Sequence, residues 1–538
     1  MSEPSTGPRV AGPSTAGAPI PVSRSRRVLS LTASVALLAA AGSLVAVPAL
    51  NPGAAPAADA RTVPAPAVAV PAAGTTTVCP GAPRLLTVGA GGDPRFSPVS
   101  ASARTTVAAV VRSTSTGLIG GTALEPLAGR GPVATVARPT PATAAPGGLR
   151  AAARTGVGVS VPTVLRAAPV GQAPTAAAAA LGYRADDGDL RGLAAASCQR
   201  PGNDLWLLGA STTGGRTAIL TVHNPGTSPA TVRLDLAGGG GPITATGGRE
   251  LLVGAGASRS VVLAGLAPGE AELGVRVRSR GAPVAAVIQQ SVLRGLTPGG
   301  VEYLTPVPGP ALSRTVPGVL LQSPAATAAL RRTVPDAVPV LQLAVPGDAE
   351  ATVRVQAQGP AGAVTIGSAG IVRARAGAVT TVDLGSLPAG TWGLTVRSDV
   401  AVTAGVRTVR GDSARRPVDI AEAGAADRLG QDVVLPVVPV GTARLALTAP
   451  GEAATVTIRP VTGNGGFGPA RTVRVGAGRT VVTDPRQGAS NAAAVRLQSD
   501  GGAVYAAQVT TAGATGIAVA AVPEPDEDVR RISLRIVP

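Results

Sequence analysis

The sequence predicts an all-β fold, a tandem array of antiparallel β-sandwich modules that follows one transmembrane helix and a Pro/Ala-rich linker. Three observations predict it. Short runs alternate apolar and polar residues and are separated by Gly and Pro. The same strand–turn–strand signatures occur three times, at a domain-sized spacing. One charge-free apolar run stands near the N-terminus behind a group of arginines.

The apolar run, "VLSLTASVALLAAAGSLVAVPAL", covers Val28–Leu50 and follows Arg24, Arg26 and Arg27. About 20 apolar residues span a bilayer, and basic flanks stay on the cytoplasmic side. Residues 1–27 therefore read as a cytoplasmic tail and 28–50 as a transmembrane helix or signal anchor. The expected location is the cell membrane, single-pass, with the N-terminus cytoplasmic and the bulk extracellular. "ADA" at Ala58–Ala60 has the small-x-small pattern of a signal-peptidase site. A retained anchor is the favoured reading, and the protein is secreted if the signal is cleaved. Residues 51–75 form the linker, with prolines at 52, 56, 64, 66 and 71 that favour extended geometry.

The chain has 538 residues, enough for roughly three or four domains. It has no lysine, so all 47 basic residues are arginine and the formal net charge is +17. The arginines are scattered singly rather than in runs. Aromatic residues make up only 1% of the chain, so the core must be built from Val, Leu, Ile and Ala. That scarcity weighs against single-stranded nucleic-acid binding, which needs stacking platforms, and no intracellular nucleic-acid partner is expected. Trp206, Trp392, Tyr183, Tyr303 and Tyr505 read as core or strand-edge residues.

Cys79 and Cys198 are the two cysteines. Outside the membrane they are free to oxidise, and the simplest reading is one disulfide framing an N-terminal β region, 76–205. Its alternative is two unpaired buried thiols. The middle of this region is low in pattern, open to loops, short strands or partial disorder. "RADDGDLRG" at Arg184–Gly192 reads as a solvated turn, since it lacks the spacing of a calcium loop.

Three signatures recur beyond it. The first is strand, Pro-Gly turn, strand: "AILTVHNPGTSPATVRLDL" from Ala218, "LQLAVPGDAEATVRVQ" from Leu341 and "ARLALTAPGEAATVTIRP" from Ala443. The second turns on Ala-Gly: "ELLVGAGASRSVVLAGL" from Glu250, "GIVRARAGAVTTVDLGSL" from Gly370 and "RTVRVGAGRTVVTD" from Arg471. The third passes a serine: "VRVRSRGAPVAAVIQQ" from Val275, "LTVRSDVAVTAGVRTV" from Leu394 and "VRLQSDGGAVYAAQVT" from Val495. Ser279, Ser398 and Ser499 mark what reads as a closing hairpin. Period-two alternation gives each strand one buried and one wet face. Several short strands per unit with Gly/Pro turns read as immunoglobulin-like or fibronectin-like sandwiches. The repeats are placed at 206–296, 340–410 and 433–515. Pro-rich bridges take 297–339 and 411–432, and 516–538 forms a C-terminal tail with the acidic "PEPDEDVRR".

Catalytic chemistry finds little footing. A Ser-His-Asp arrangement needs a histidine, and the single one, His223, sits at a strand end and reads as a turn-capping or surface residue. Without lysine there is no Walker-type loop or Schiff base. No Cys/His grouping has metal-ligand spacing. The expectation is a non-enzyme with no catalytic residues, no metal and no cofactor.

The order Cys198, "NDLWLLGAST" (Asn203–Thr212), "LTVHNPGTSPATV" and "GLTPGGVEYLTPV" resembles a family of exported, N-terminally membrane-anchored actinobacterial proteins of uncharacterised function. The resemblance implies a membrane segment, two cysteines and a β-rich ectodomain, and carries over no site residue. The resulting expectation is a structural or interaction protein of the actinobacterial cell envelope. Its partners would be the membrane, through one N-terminal helix, and an envelope protein or wall polymer. The alternatives are an arginine-rich binder of envelope polyanions, or an accessory subunit of an envelope glycan-synthesis enzyme.

Overall fold

The computed structural model describes residues 67–69, 74–85, 100–129, 131–141, 147–171, 175–244, 250–522 and 531–533. Residues 1–27, read from sequence as a cytoplasmic tail, the apolar run at 28–50 and most of the linker and acidic C-terminal segment lie outside the described residues. Among the described residues no helix is long and apolar enough to cross a membrane. The chain divides into two units, Met1–Val68 with Ser533–Pro538, and Ala69–Ile532. The fold below is that of the second unit.

Its described strands form four modules. Module 1 comprises β1 (Thr75–Cys79), β2 (Arg104–Arg112), β3 (Thr122–Pro126), β4 (Ala134–Ala137), β5 (Ala151–Gly158), β6 (Thr163–Ala167), β7 (Ala176–Ala185) and β8 (Gly192–Ser197). Module 2 comprises β9 (Asp204–Ala210), β10 (Arg216–His223), β11 (Ala230–Gly238), β12 (Gly241–Ile243), β13 (Glu250–Val253), β14 (Ser258–Val262), β15 (Leu273–Gly281), β16 (Ala285–Arg294) and β17 (Thr297–Leu304). Module 3 comprises β18 (Ala311–Leu321), α1 (Pro324–Thr333), β19 (Val340–Ala344), β20 (Ala351–Gln358), β21 (Ala363–Ala374), β22 (Val379–Asp383), β23 (Gly390–Arg410) and β24 (Asp419–Gly424). Module 4 comprises β25 (Val433–Pro436), β26 (Thr442–Ala449), β27 (Ala454–Thr462), β28 (Arg471–Val475), β29 (Arg479–Thr483), β30 (Ala492–Gly501), β31 (Tyr505–Ala512) and β32 (Gly516–Ala521).

All four modules share one strand plan. In module 1 the sheets run β1-β6-β3-β4 and β5-β2-β7-β8, all antiparallel. Numbered by position within a module, this is 1-6-3-4 and 5-2-7-8. Module 4 repeats it as β25-β30-β27-β28 and β29-β26-β31-β32. Module 2 repeats it with the short β12 added beside β11. Module 3 repeats it with positions six and seven joined: the first half of the 21-residue β23 pairs with β18 and β20, the second half with β19 and β24.

This plan corrects the hairpin reading at Ser279, Ser398 and Ser499. The strands on either side of Ser279 and its turn, β15 and β16, belong to different sheets. So do β30 and β31, after Ser499. At Ser398 the chain does not turn at all but continues as β23. The serine marks a crossing from one sheet to the other. The Pro-Gly and Ala-Gly signatures are sheet-to-sheet crossings as well, as β10 to β11 and β13 to β14 show. Turn chemistry is the same for a crossing and for a hairpin, so the residues alone did not separate them.

The bridges are also structured. Residues 297–339 carry β17, β18 and α1, and 411–432 carries β24. Pro298 lies in β17 at a sheet edge, and Pro317 lies at a bulge in the edge strand β18; both are places where a missing N–H is tolerated. Residues 516–521, read as tail, form β32.

Each module's two sheets share an apolar cluster, of Val, Leu, Ile and Ala as the composition requires. β11 shows the alternation, burying Val232, Leu234 and Leu236 while Arg233 faces outward. Further clusters join neighbouring modules. Val78 and Val164 meet Ala285 between modules 1 and 2, and Leu208 meets Ala344 and Val379 between 2 and 3. Val316 and Val319 share a core with Ala507 and Val509 between 3 and 4. Ala180, Leu193 and Ala195 meet Ala518 and Ala520 between 4 and 1. The four modules therefore close a ring. Alanine and glycine make the last contact possible: a Cβ at Gly182 would lie 2.5 Å from Val440 Cγ2.

Candidate functional site

Position eight is an edge strand in every module, and edge strands carry backbone groups without partners. β8, β17, β24 and β32 converge. β8 packs against β17 and β32, and β24 packs against the same two, so the four edges meet at one junction.

Two carboxylates satisfy those edges. Glu302, on β17, accepts hydrogen bonds at Oε1 from Ala195 N (3.1 Å) and Tyr303 N (2.9 Å), and at Oε2 from Val519 N (3.4 Å). Asp419, at the start of β24, accepts at Oδ2 from Leu193 N (3.0 Å) and Ile517 N (3.1 Å), and at Oδ1 from Ile420 N (3.0 Å). Each carboxylate thus ties together modules 1 and 4 from a third module. Leu193/Ala195 and Ile517/Val519 are two apart along their strands, as the period of outward-facing N–H groups demands. Both side chains are buried, Glu302 at 1% and Asp419 at 2% relative exposure. Burial pushes Asp419 up to about 8, against the pull of its backbone donors. Burial likewise pushes Glu302 well above the usual carboxylate range. A protonated carboxyl still accepts hydrogen bonds while avoiding the cost of a buried charge.

A second buried polar group sits between modules 2 and 3. Arg407 Nη2 pairs with Glu272 Oε1 at 2.6 Å, and Gln342 Nε2 donates to Glu272 Oε2 at 2.6 Å. Glu422 lies beside them, raised by burial and by Glu272, with Arg407 opposing. Its Oε1 has no hydrogen-bond partner. Nearby, the buried Arg216 and the half-buried Arg294 both grip Asp336, at 2.6 and 3.2 Å. Burial alone would raise Asp336, but these two arginines hold it down to about 2.

The residues singled out from sequence lie as follows. Cys79 and Cys198 form a disulfide that links the end of β1 to the residue after β8. His223 is buried, not at the surface; its Nδ1 lies 2.8 Å from Ser258 Oγ, and burial lowers it to about 4. The turn-capping role belongs to Asn224, whose Oδ1 accepts from Gly226 N and whose Nδ2 donates to Ser228 O. Tyr183, Tyr303 and Trp392 are buried, with Tyr183 Oη donating to Leu190 O and Tyr303 Oη to Gly81 O. Trp206 is half-buried under Arg276, 4.8 Å from the ring centre, and Tyr505 is half-buried on β31. Among the described residues no group of three or more His, Cys, Asp or Glu could hold a metal. Sequence reading missed Glu302, Asp419, Glu272 and Glu422. For three of them the signal was present: "GGVEYL" sets Glu302, and "PVDIAEAG" sets Asp419 and Glu422, inside an apolar strand.

Two clefts open at the two ends of the junction. One, of about 400 Å³, lies where β8, β24 and β32 begin; the other, of about 380 Å³, lies where the position-eight strands end, beside Cys198 and Asp427.

Comparison with known proteins gives one family. The "Family of unknown function (DUF5719)" matches residues 151–486, more than half of the chain and reaching from β5 in module 1 to the turn after β29 in module 4. No curated protein matches. A solved structure of a biofilm associated protein, its BSP domain, is 8% identical over 88% of this chain and 100% of its own, with a TM-score of 0.12, which carries no argument about fold.

Proposed function

We propose that this chain, which belongs to the DUF5719 family of unknown function, is a non-catalytic structural or interaction protein of the actinobacterial cell envelope, held by its N-terminal apolar run with the four modules outside. The observation that carries the reading is the closed junction. Four modules tied by buried carboxylates and shared apolar clusters make one rigid platform rather than a flexible string. The modules are taken as β-sandwiches of broadly immunoglobulin-like or fibronectin-like build. Their 1-6-3-4 and 5-2-7-8 order differs from the immunoglobulin arrangement, in which the first strand neighbours the second.

A general polyanion binder is the weaker alternative. Arginines in every module are already paired with carboxylates, Arg166, Arg276, Arg373 and Arg496 among them, which offsets the charge a polyanion would meet. An accessory role beside an envelope glycan-synthesis enzyme is a special case of the leading reading, distinguished by its partner. The test is a photo-reactive residue at Leu252, which is 66% exposed on β13, combined with protease treatment of intact cells. The expected result is cleavage from outside and a discrete adduct with one envelope protein. Protection from external protease together with no adduct would overturn the reading.

A further inference from the structure

The cleft where β8, β24 and β32 begin has the volume of a small-ligand site, about 400 Å³. Module 1 lines it with Arg184, Asp186 and Arg191, module 3 with Asp412 and Arg416, and module 4 with the Ala512–Gly516 turn. Arg184 is held by Asp186 two residues away at 3.0 Å, and Arg416 by Asp412 four residues away at 2.9 Å. Both pairs are solvent-exposed, and such pairs are weak. They therefore yield readily to a stronger anion. Arg191 has no ion pair within 4 Å among the described residues; it is a minor cause of the lowering of Asp187, after the hydrogen bonds from Ser102. Asp419, at the inner wall, is the remaining carboxylate of the lining, and burial raises it to about 8, which disfavours its charged form and so weakens its repulsion of an anion. The other wall is apolar, formed by Pro417, Val418, Ala512 and Ala514.

We propose that this cleft binds a phosphate monoester, with Arg184, Arg191 and Arg416 holding the phosphoryl oxygens and the Pro417 and Ala512–Gly516 wall contacting the organic group. The guanidinium fork matches phosphate geometry bidentately, and a dianion engages more than one arginine. The site joins three modules, so a bound ester also bridges them.

The test is calorimetric titration of the full-length protein with glucose 1-phosphate, inorganic phosphate and glucose. Glucose 1-phosphate is expected to bind at least tenfold more tightly than inorganic phosphate, with glucose not binding. The exposed-residue variant Arg191→Glu and the double variant Arg191→Ala/Arg416→Ala are each expected to weaken binding at least tenfold. Arg474→Ala, on the exposed face of β28 away from the cleft, is expected to leave it unchanged. Equal binding of inorganic phosphate would overturn the ester assignment. Equal weakening by Arg474→Ala, or binding unaffected by Arg191→Glu in a protein with wild-type melting behaviour, would overturn the site.

Discussion

Asp419 and Glu302 show how single side chains decide this architecture. Each accepts N–H donors from strands that are far away in sequence, Leu193 and Ala195 in module 1 and Ile517 and Val519 in module 4. Asp419 titrates at about 8 in the folded protein against an ordinary value near 3.8. Between those values the folded state binds the extra proton, so stability falls as pH rises from about 4 to about 8, by about 1.4 kcal/mol per pH unit at most. The melting temperature of the wild type is therefore expected to drop between pH 5 and pH 9. Asp419→Asn, which imitates the neutral carboxyl, is expected to lose roughly 1 kcal/mol at pH 5 through the misplaced amide and to show a shallower drop. Parallel pH curves for the two proteins would show that Asp419 is ionised in the fold. His223 gives an independent reading at the same scale. Its folded value is lowered by burial to about 4, so the unfolded chain binds the extra proton between about 4 and 6.5, and this contribution to stability is lost as pH falls through that window. As the only histidine, it gives a single pair of ring proton resonances, which are expected to titrate near pH 4; a midpoint near 6.5 would mean that the ring is solvated.

At the scale of elements, alternation was legible and connectivity was not. β11, β20 and β27 announce themselves by period two because one face is buried and the other wet. Module 1 shows no such pattern in β7, "AAAAALGYRA", where nearly every residue is buried. β7 packs on both faces, against the core of its own module and against module 4, so alternation is lost there and the repeat is not visible. The crossings were misread for a different reason: Gly, Pro and Ser turn the chain without specifying which sheet the next strand joins. The disulfide was legible from compartment chemistry, and it closes module 1 across 119 residues. Reducing it is expected to cost roughly 4–5 kcal/mol in the chain-entropy account, measured by denaturant unfolding with and without reductant; an unchanged midpoint would make it dispensable. Gly182→Val places a branched side chain against Val440 and is expected to cost about 1–3 kcal/mol through overpacking. The same substitution at Gly214, with open space around its Cβ position, is the control.

For the whole molecule, the sequence supported a string of modules separated by bridges, whereas the structure is a closed assembly. The difference lies in long-range contacts, which no local pattern encodes. Asp419 meets a donor 226 residues away, and Glu302 one 217 residues away. The acids set in the apolar strands "GGVEYL" and "PVDIAEAG" were the only trace, legible as buried acids but silent about their partners. Ring closure depends on module 1 meeting module 4, with two modules between them in the chain. The most direct test is pulsed electron–electron resonance on the full-length protein carrying spin labels at Asp186→Cys in module 1 and Ala514→Cys in module 4. Both line the same cleft. The closed ring gives one narrow distance, within the ~20 Å that a six-residue strand spans. A broad distribution centred well beyond that would contradict the closed junction and restore the string.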